Sequence, residues 1–412
     1  MARRNMVRIV AAIPFVAAMP AAAGDDIGNQ TLGLVEAATA GRPVVEVRPR
    51  YNRIEEEGYD ETTTGWTYRL RLGWRTAAWQ GWRATVEGIL TGSADKNFND
   101  DPGQIVSSPY PLLPDPRYTG VNQAHVEYAG DSGVRLRMGR QVVRLENQRW
   151  VSDNDFRQIP QVFEGVHAWY DGLERTQLEA GYFTRVRTTS GVTNDLRLGI
   201  LRAAWNPRPD HVLSAYGVFH DQPQNGAFTG FADNSYRVVG ARAEGTFSRP
   251  AWGLGIPYLA EIAHQDAYAG GDPRIDARYW RLGAGLASAS WTVRYDEELR
   301  GSNGGQYGLQ APLTDFYAFN GWTLHFFNVP RQGLHDRWLT ARLGVERVTL
   351  YGEAHRFRSD YGHEDLGREL DLGVTVDLWH DITARLQHAR YDAQSGALGD
   401  TRKTWFTLSW TF

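Results

Sequence analysis

The 412-residue sequence contains no cysteine, so no disulfide holds it together. After the first two dozen residues no uninterrupted apolar run approaches the roughly 18 residues of a membrane-spanning helix, and the mean hydropathy is −0.47; a helical membrane protein is excluded. Lysine is nearly missing: Lys96 and Lys403 are the only two among 44 basic residues, the rest being arginine. Gly-x-Ser-x-Gly, a metal-spaced histidine pair and a phosphate-binding glycine loop are all absent. Neither an enzyme nor a resident metal or cofactor is therefore expected. A membrane-embedded hydrolase would need a serine beside a histidine and an acid, and His125, His167 and His355 lie in strand-like segments with no matching serine.

What the chain does have begins at its start. Arg3, Arg4 and Arg8 precede an apolar run from Ile9 to Met19 that ends in Ala21, Ala22 and Ala23. This is the layout of a secretory signal peptide, which predicts removal of residues 1–23 and a mature unit of 24–412. Aromatic residues make up 12% of the chain, with 15 Trp and 19 Tyr.

From Gly65 the residues Trp66, Tyr68, Leu70, Leu72 and Trp74 share one parity, and Thr67, Arg69, Arg71, Gly73 and Arg75 the other. Side chains on a strand alternate faces, so this segment has a greasy face and a cationic one, with tryptophan where membrane aromatic belts would fall. Val134, Leu136 and Met138 against Arg135 and Arg137 repeat the pattern, as do Leu339, Ala341 and Leu343 against Thr340 and Arg342. Marking every such segment, from 44–51 to 402–412, yields about eighteen strands, an even number as bacterial barrels have. Short links such as 129–133 and 379–381 interleave with long ones such as 91–120, 142–162 and 299–337. That is the turn and loop alternation of a barrel with both termini in the periplasm. Phe406, Leu408, Trp410 and Phe412 form a final apolar stripe ending on phenylalanine, the form of strand that the outer-membrane insertion machinery recognises.

In hydrocarbon each unpaired peptide group costs several kcal/mol, so a chain of strands must close on itself. The predicted fold is all-β, a closed antiparallel transmembrane barrel of about 18 strands in the Gram-negative outer membrane, surrounded by lipid and lipopolysaccharide, monomeric, and with no nucleic-acid partner. At this strand number side chains cannot fill the interior, so function lies in what lines it. Arg69, Arg71, Arg83, Arg135, Arg137, Arg197, Arg281, Arg294, Arg342 and Arg385 are assigned to the inward parity, with Glu87, Glu127, Glu261 and Glu353 among the inward acids. Arginine rings are the expected construction of anion-selective pores. For any single arginine the alternative is a structural ion pair across the lumen.

Gly139-Arg140-Gln141, Leu145, Asn147-Gln148-Arg149 and Phe156-Arg157-Gln158, followed by Gln161 and Phe163, resemble a segment of the alginate export family of outer-membrane porins. Phe319-Asn320-Gly321-Trp322 with Phe326, Pro330, Gly333-Leu334 and Asp336 resembles a second. The resemblance implies an 18-stranded barrel whose electropositive lumen passes a polyanionic uronate polysaccharide, and it adds Arg140, Arg149 and Arg157 as candidate lumen or loop arginines. A porin for small organic anions is the alternative cargo class. Loops longer than 12–15 residues are usually functional, so at least one of 91–120 and 299–337 is expected to fold over or into the lumen.

Overall fold

The computed structural model describes residues 33–412 except 96, 102–107, 223–229, 250–252, 380 and 397. The predicted signal segment 1–23 lies outside the described residues. A short helix, α1 (Leu34–Thr39), precedes β1 (Arg42–Glu56), β2 (Thr63–Arg75), β3 (Trp82–Ser93), β4 (Tyr118–Ala129), β5 (Val134–Gln141) and β6 (Val162–Leu173). Then come β7 (Thr176–Arg187), β8 (Thr193–Arg208), β9 (His211–Asp221), β10 (Tyr236–Arg249), β11 (Leu254–Ala267) and β12 (Asp276–Ala287). The last six are β13 (Trp291–Arg300), β14 (Leu334–Val345), β15 (Val348–Arg358), β16 (Asp365–Asp377), β17 (Ile382–Ala393) and β18 (Thr401–Thr411). Every one overlaps a strand expected from the alternation. Each is antiparallel to its neighbours, and β18 pairs with β1, Tyr51 opposite Phe406, so the 18-stranded sheet closes without an edge.

The outward face follows the period-two pattern all round the cylinder. Leu72, Val86, Val126, Leu201, Ile262, Leu282, Leu339 and Leu372 are 40–65% exposed, and Trp410 and Phe412 of the last strand share that face. A continuous apolar belt of this extent is unstable in water and stable in lipid.

Toward the loop end the same outward face turns charged. Arg53 meets Glu55, Arg140 meets Glu164, Arg185 meets Asp195, Arg237 meets Asp266, Glu297 meets Arg337 and Arg356 meets Asp365, all at 2.5–3.0 Å. This girdle corrects two sequence assignments. Arg197 does not line the lumen: it shares the outward parity of Leu201 and pairs with Asp221 at 2.5 Å. Arg140 shares the parity of Met138, its guanidinium on Glu164 and the Val121 carbonyl. The reason is the same one that makes Leu196, Leu198 and Ile200 fully buried on the inner face of β8. In this sector the inside of the barrel is apolar, and the rule of polar inside, greasy outside reverses near the loop end.

That inner apolar surface is covered by two loops. Val143, Leu145, Trp150 and Val151 of the 142–161 loop and Tyr307, Leu309, Ala311 and Leu313 of the 301–333 loop pack with Leu198, Ile200, Val218, Val238 and Tyr279 of the wall. Both loops thus turn into the barrel instead of standing above it.

Candidate functional site

The two inserted loops meet each other inside the cylinder. Phe156 and Tyr317 stack face to face with centroids 3.5 Å apart and planes within 5°, and the Asn154 amide donates to the Thr314 carbonyl at 2.5 Å. The 142–161 loop crosses between opposite walls. At one end Arg149 makes a two-point contact with Glu298 of β13, its Nε 3.0 Å from Oε1, and the Trp150 indole donates to Tyr216 of β9 at 2.8 Å. At the other, Asp155 lies 3.1 Å from Arg69 of β2, and its carbonyl and that of Arg157 accept from Arg48 of β1 at 2.8 and 2.5 Å. Burial alone would raise the Asp155 carboxyl, but Arg69, Arg48 and Arg71 outweigh it and hold it well below the usual range. On the second loop Asp315 has no cation within 4 Å among the described residues, and burial, then the neighbouring Asp153, push its carboxyl up to about 6.

The second loop hangs from carboxylates on β16. The Thr323 amide donates to Glu369 at 2.7 Å and the Trp322 amide to Asp371 at 3.3 Å. Gly321 sits at φ +83°, and a Cβ there would lie 2.5 Å from the Glu369 carboxyl carbon, so only glycine permits the approach. Lys403 of β18 donates to the Thr323 carbonyl at 2.5 Å.

Against this frame the lumen arginines fall into two sets. Those of the first set are bound to acids. Arg69 and Arg71 both contact Glu46, and Arg71 also lies 3.7 Å from Glu87. Arg137 holds Glu127 at 2.5 Å, and Arg281 and Arg294 share Asp296 at 3.0 and 2.5 Å. Arg135 pairs with Asp171 at 3.1 Å, close to the 130–133 turn. Glu261 takes Arg242 at 3.4 Å, the Tyr216 hydroxyl at 2.6 Å and Asn147 at 3.2 Å. Glu353 lies 3.4 Å from His355. In all of the arginine pairs the charge is compensated locally, and the pair stiffens wall or loop.

The second set has no carboxylate within 4 Å among the described residues: Arg50, Arg75, Arg83, Arg342 and Arg385. Arg385 and Arg50 flank Thr407, each directly opposite it on β17 and β1, and Arg50 Nε donates to its hydroxyl at 3.0 Å. Arg342 stands opposite Tyr351 on the same side of the barrel, and both Arg342 and Arg385 are exposed to the lumen. Arg75 and Arg83 continue the set on β2 and β3, nearer the short turns. Uncompensated guanidinium therefore gathers on the β14–β18–β3 side, while the β9–β13 side is occupied by loop and ion pairs. Arg157 belongs to the loop, where its carbonyl anchors Arg48 and Arg69.

Sequence reasoning missed Arg48 and Arg50. Their signal was available, because Arg48, Arg50 and Asn52 alternate with Val47, Pro49 and Tyr51. It also missed Asp155 and Asn320, which act only through the inserted loops.

Comparison with known proteins agrees with this construction. No curated protein matches the chain by sequence. Among solved structures, the outer-membrane protein OccK9 (OpdG) of Pseudomonas aeruginosa is 12% identical, with a TM-score of 0.72 over 91% of this chain and 99% of that one. OccK3 (OpdO) of the same organism is 13% identical, TM-score 0.70, over 92% and 98%. OpdK of that organism, solved with vanillate, is 13% identical, TM-score 0.68, over 90% and 98%. At such identities the likeness is one of fold. The family model for alginate export matches residues 46–303, more than half the chain, and ends before the 319–336 patch. With a closed 18-stranded barrel, an apolar outer belt and an arginine-lined interior, the chain belongs to the alginate export family and is an outer-membrane channel of Gram-negative type.

Proposed function

We propose that the channel passes an anionic saccharide, alginate or a related uronate oligomer or polymer, along the uncompensated, exposed arginines Arg342 and Arg385, with Arg50 buried behind them under the Phe156 ring. A single observation carries this reading: Arg342 and Arg385 face the lumen with no carboxylate within 4 Å among the described residues, while Arg69, Arg71, Arg137, Arg281 and Arg294 are paired with acids. A guanidinium fork binds carboxylate at two points and remains charged, so spaced free forks suit a chain with one carboxylate per sugar. The reading also takes residues 1–23 as a removed export signal, the strand ending at Phe412 as the signal to the barrel-assembly machinery, and lipopolysaccharide as the lipid outside the charged girdle. Transport, not catalysis, is the activity.

Planar-bilayer recording tests the cargo. Uronate oligomers added to an open channel should block current at low concentration, and neutral oligosaccharides of equal length should not. Equal block by both would overturn the saccharide reading.

A second cargo class, small organic anions, is favoured by a different observation. The two loops turn into the barrel and meet at Phe156 and Tyr317, and a lumen partly filled in this way suits a narrow solute better than a thick polymer. Block by single aromatic or aliphatic carboxylates with none by uronate oligomers would select it.

A further inference from the structure

Two strands place four functional side chains in a square on the inner wall. Glu353 and His355 lie two apart on β15, and the register sets Asp371 opposite Glu353 and Glu369 opposite His355. All four point inward, and His355, Glu369 and Asp371 are 0–5% exposed. Asp336 on β14 joins from below, its Oδ1 and Oδ2 3.0 and 3.1 Å from His355 Nδ1. His355 is the sole cation within 4 Å of Glu353, Asp371 and Asp336 among the described residues, and Glu369 has none. Three buried acids and the half-buried Glu353 against one imidazole leave an excess of negative charge where isolated charge is most expensive.

Three details show how that excess is arranged. Asp336 takes His355 Nδ1, which fixes the tautomer and turns Nε2 toward the two other carboxylates. From Nε2, Glu353 Oε2 is 3.4 Å away and Asp371 Oδ2 3.9 Å, too long for good charge-assisted hydrogen bonds. The Asp371 Oδ1 atom is fully buried and accepts from no N–H or hydroxyl donor among the described residues, with the Glu369 carboxyl as its side-chain neighbour. One donor atom from each of Glu353, His355 and Asp371 lies within 4.8 Å of the others. Ligands about 2.0–2.2 Å from a tetrahedral zinc ion stand roughly 3.3–3.6 Å apart, so the spacing leaves room for an ion and little for direct contact.

We propose that Glu353, His355 and Asp371 bind one divalent first-row metal ion, zinc or manganese in preference to calcium because one ligand is nitrogen. Asp336 orients the histidine from behind. Glu369 remains on the Thr323 amide and hydroxyl and does not ligate. The ion supplies the missing positive charge and ties β15 and β16 together at the point from which the Trp322–Thr323 segment hangs. It is a structural clamp on the inserted loop and is independent of the cargo.

The test uses the full mature barrel in detergent, stripped with EDTA, dialysed against zinc or manganese chloride and analysed by elemental mass spectrometry. Wild type should retain about one ion per barrel and melt at a higher temperature with it. A Glu353→Gln/Asp371→Asn variant should retain none and show no shift. Asp336→Asn should bind 10–100-fold more weakly, the usual effect of removing a carboxylate behind a ligating histidine. Wild type holding no ion above background overturns the proposal without reference to any variant, and so does equal uptake by a double variant that still migrates as a folded barrel on an unboiled gel.

Discussion

Arg149 and Glu298 face each other as two parallel forks inside the barrel, one on an inserted loop and one on β13, with the Phe319 ring 3.9 Å from the guanidinium carbon and the Asn320 carboxamide completing the contact. Both charges are essentially excluded from solvent. The pair fastens one end of the first loop to the wall, and it joins both family-like patches, since Arg149 lies in one and Asn320 in the other.

Removing one partner leaves the other charge buried and unpaired, which costs about 3–5 kcal/mol. Glu298→Ala should therefore release the 142–161 loop while the barrel persists. Protease added to the purified channel should cut that loop in the variant and not in wild type, and open-channel current should become larger and noisier. An uncut loop would show that the apolar contacts of Leu145, Trp150 and Val151 hold it unaided.

Docking of the second loop should depend on pH through Asp315. Its carboxyl is pushed from an ordinary 3.8 to about 6 in the docked loop. A raised acid opposes docking when ionised, so the penalty is complete above about pH 6, shrinks as pH falls, and is gone below about pH 4. Current fluctuations from loop movement should be fewer at pH 5 than at pH 7.5, and Asp315→Asn should remove the difference. More fluctuation in acid would contradict the assignment.

Arg197 provides a control within the arginine set. It lies outside the barrel on Asp221, so Arg197→Gln should leave ion selectivity unchanged in bilayer recordings. A loss of anion preference equal to that of a lumen variant would return Arg197 to the pore.

The outer belt predicts where charge cannot go. Leu372→Arg, on the apolar outward face, should destabilise the folded barrel by about 2–4 kcal/mol if the site is near the bilayer midplane, measured by denaturant titration in lipid vesicles. No loss would place the belt elsewhere.

The strands were legible because the forces that make them are local: lipid selects one parity, and Leu370, Leu372, Val374 and Val376 display it without any partner. The inner wall was legible only where it is lined by charged side chains. Arg69, Arg137 and Arg281 follow the simple alternation. On β8, however, Leu196, Leu198 and Ile200 are inward because distant loops cover them, and Arg197 was misplaced as a result. The difference between a paired and a free arginine was also hidden. It depends on which acid stands across the register, as Glu127 does for Arg137 and none does for Arg385. The square of Glu353, His355, Glu369 and Asp371 forms only when two strands pair, which explains why no local motif announced it.

The most direct test is the reversal potential across a KCl gradient, comparing wild type with an Arg342→Gln/Arg385→Gln double variant. Wild type should favour chloride over potassium, and the double variant should move markedly toward equal permeability while remaining a folded barrel. A wild-type channel that prefers potassium, or a double variant with unchanged selectivity, would contradict a lumen governed by its uncompensated arginines.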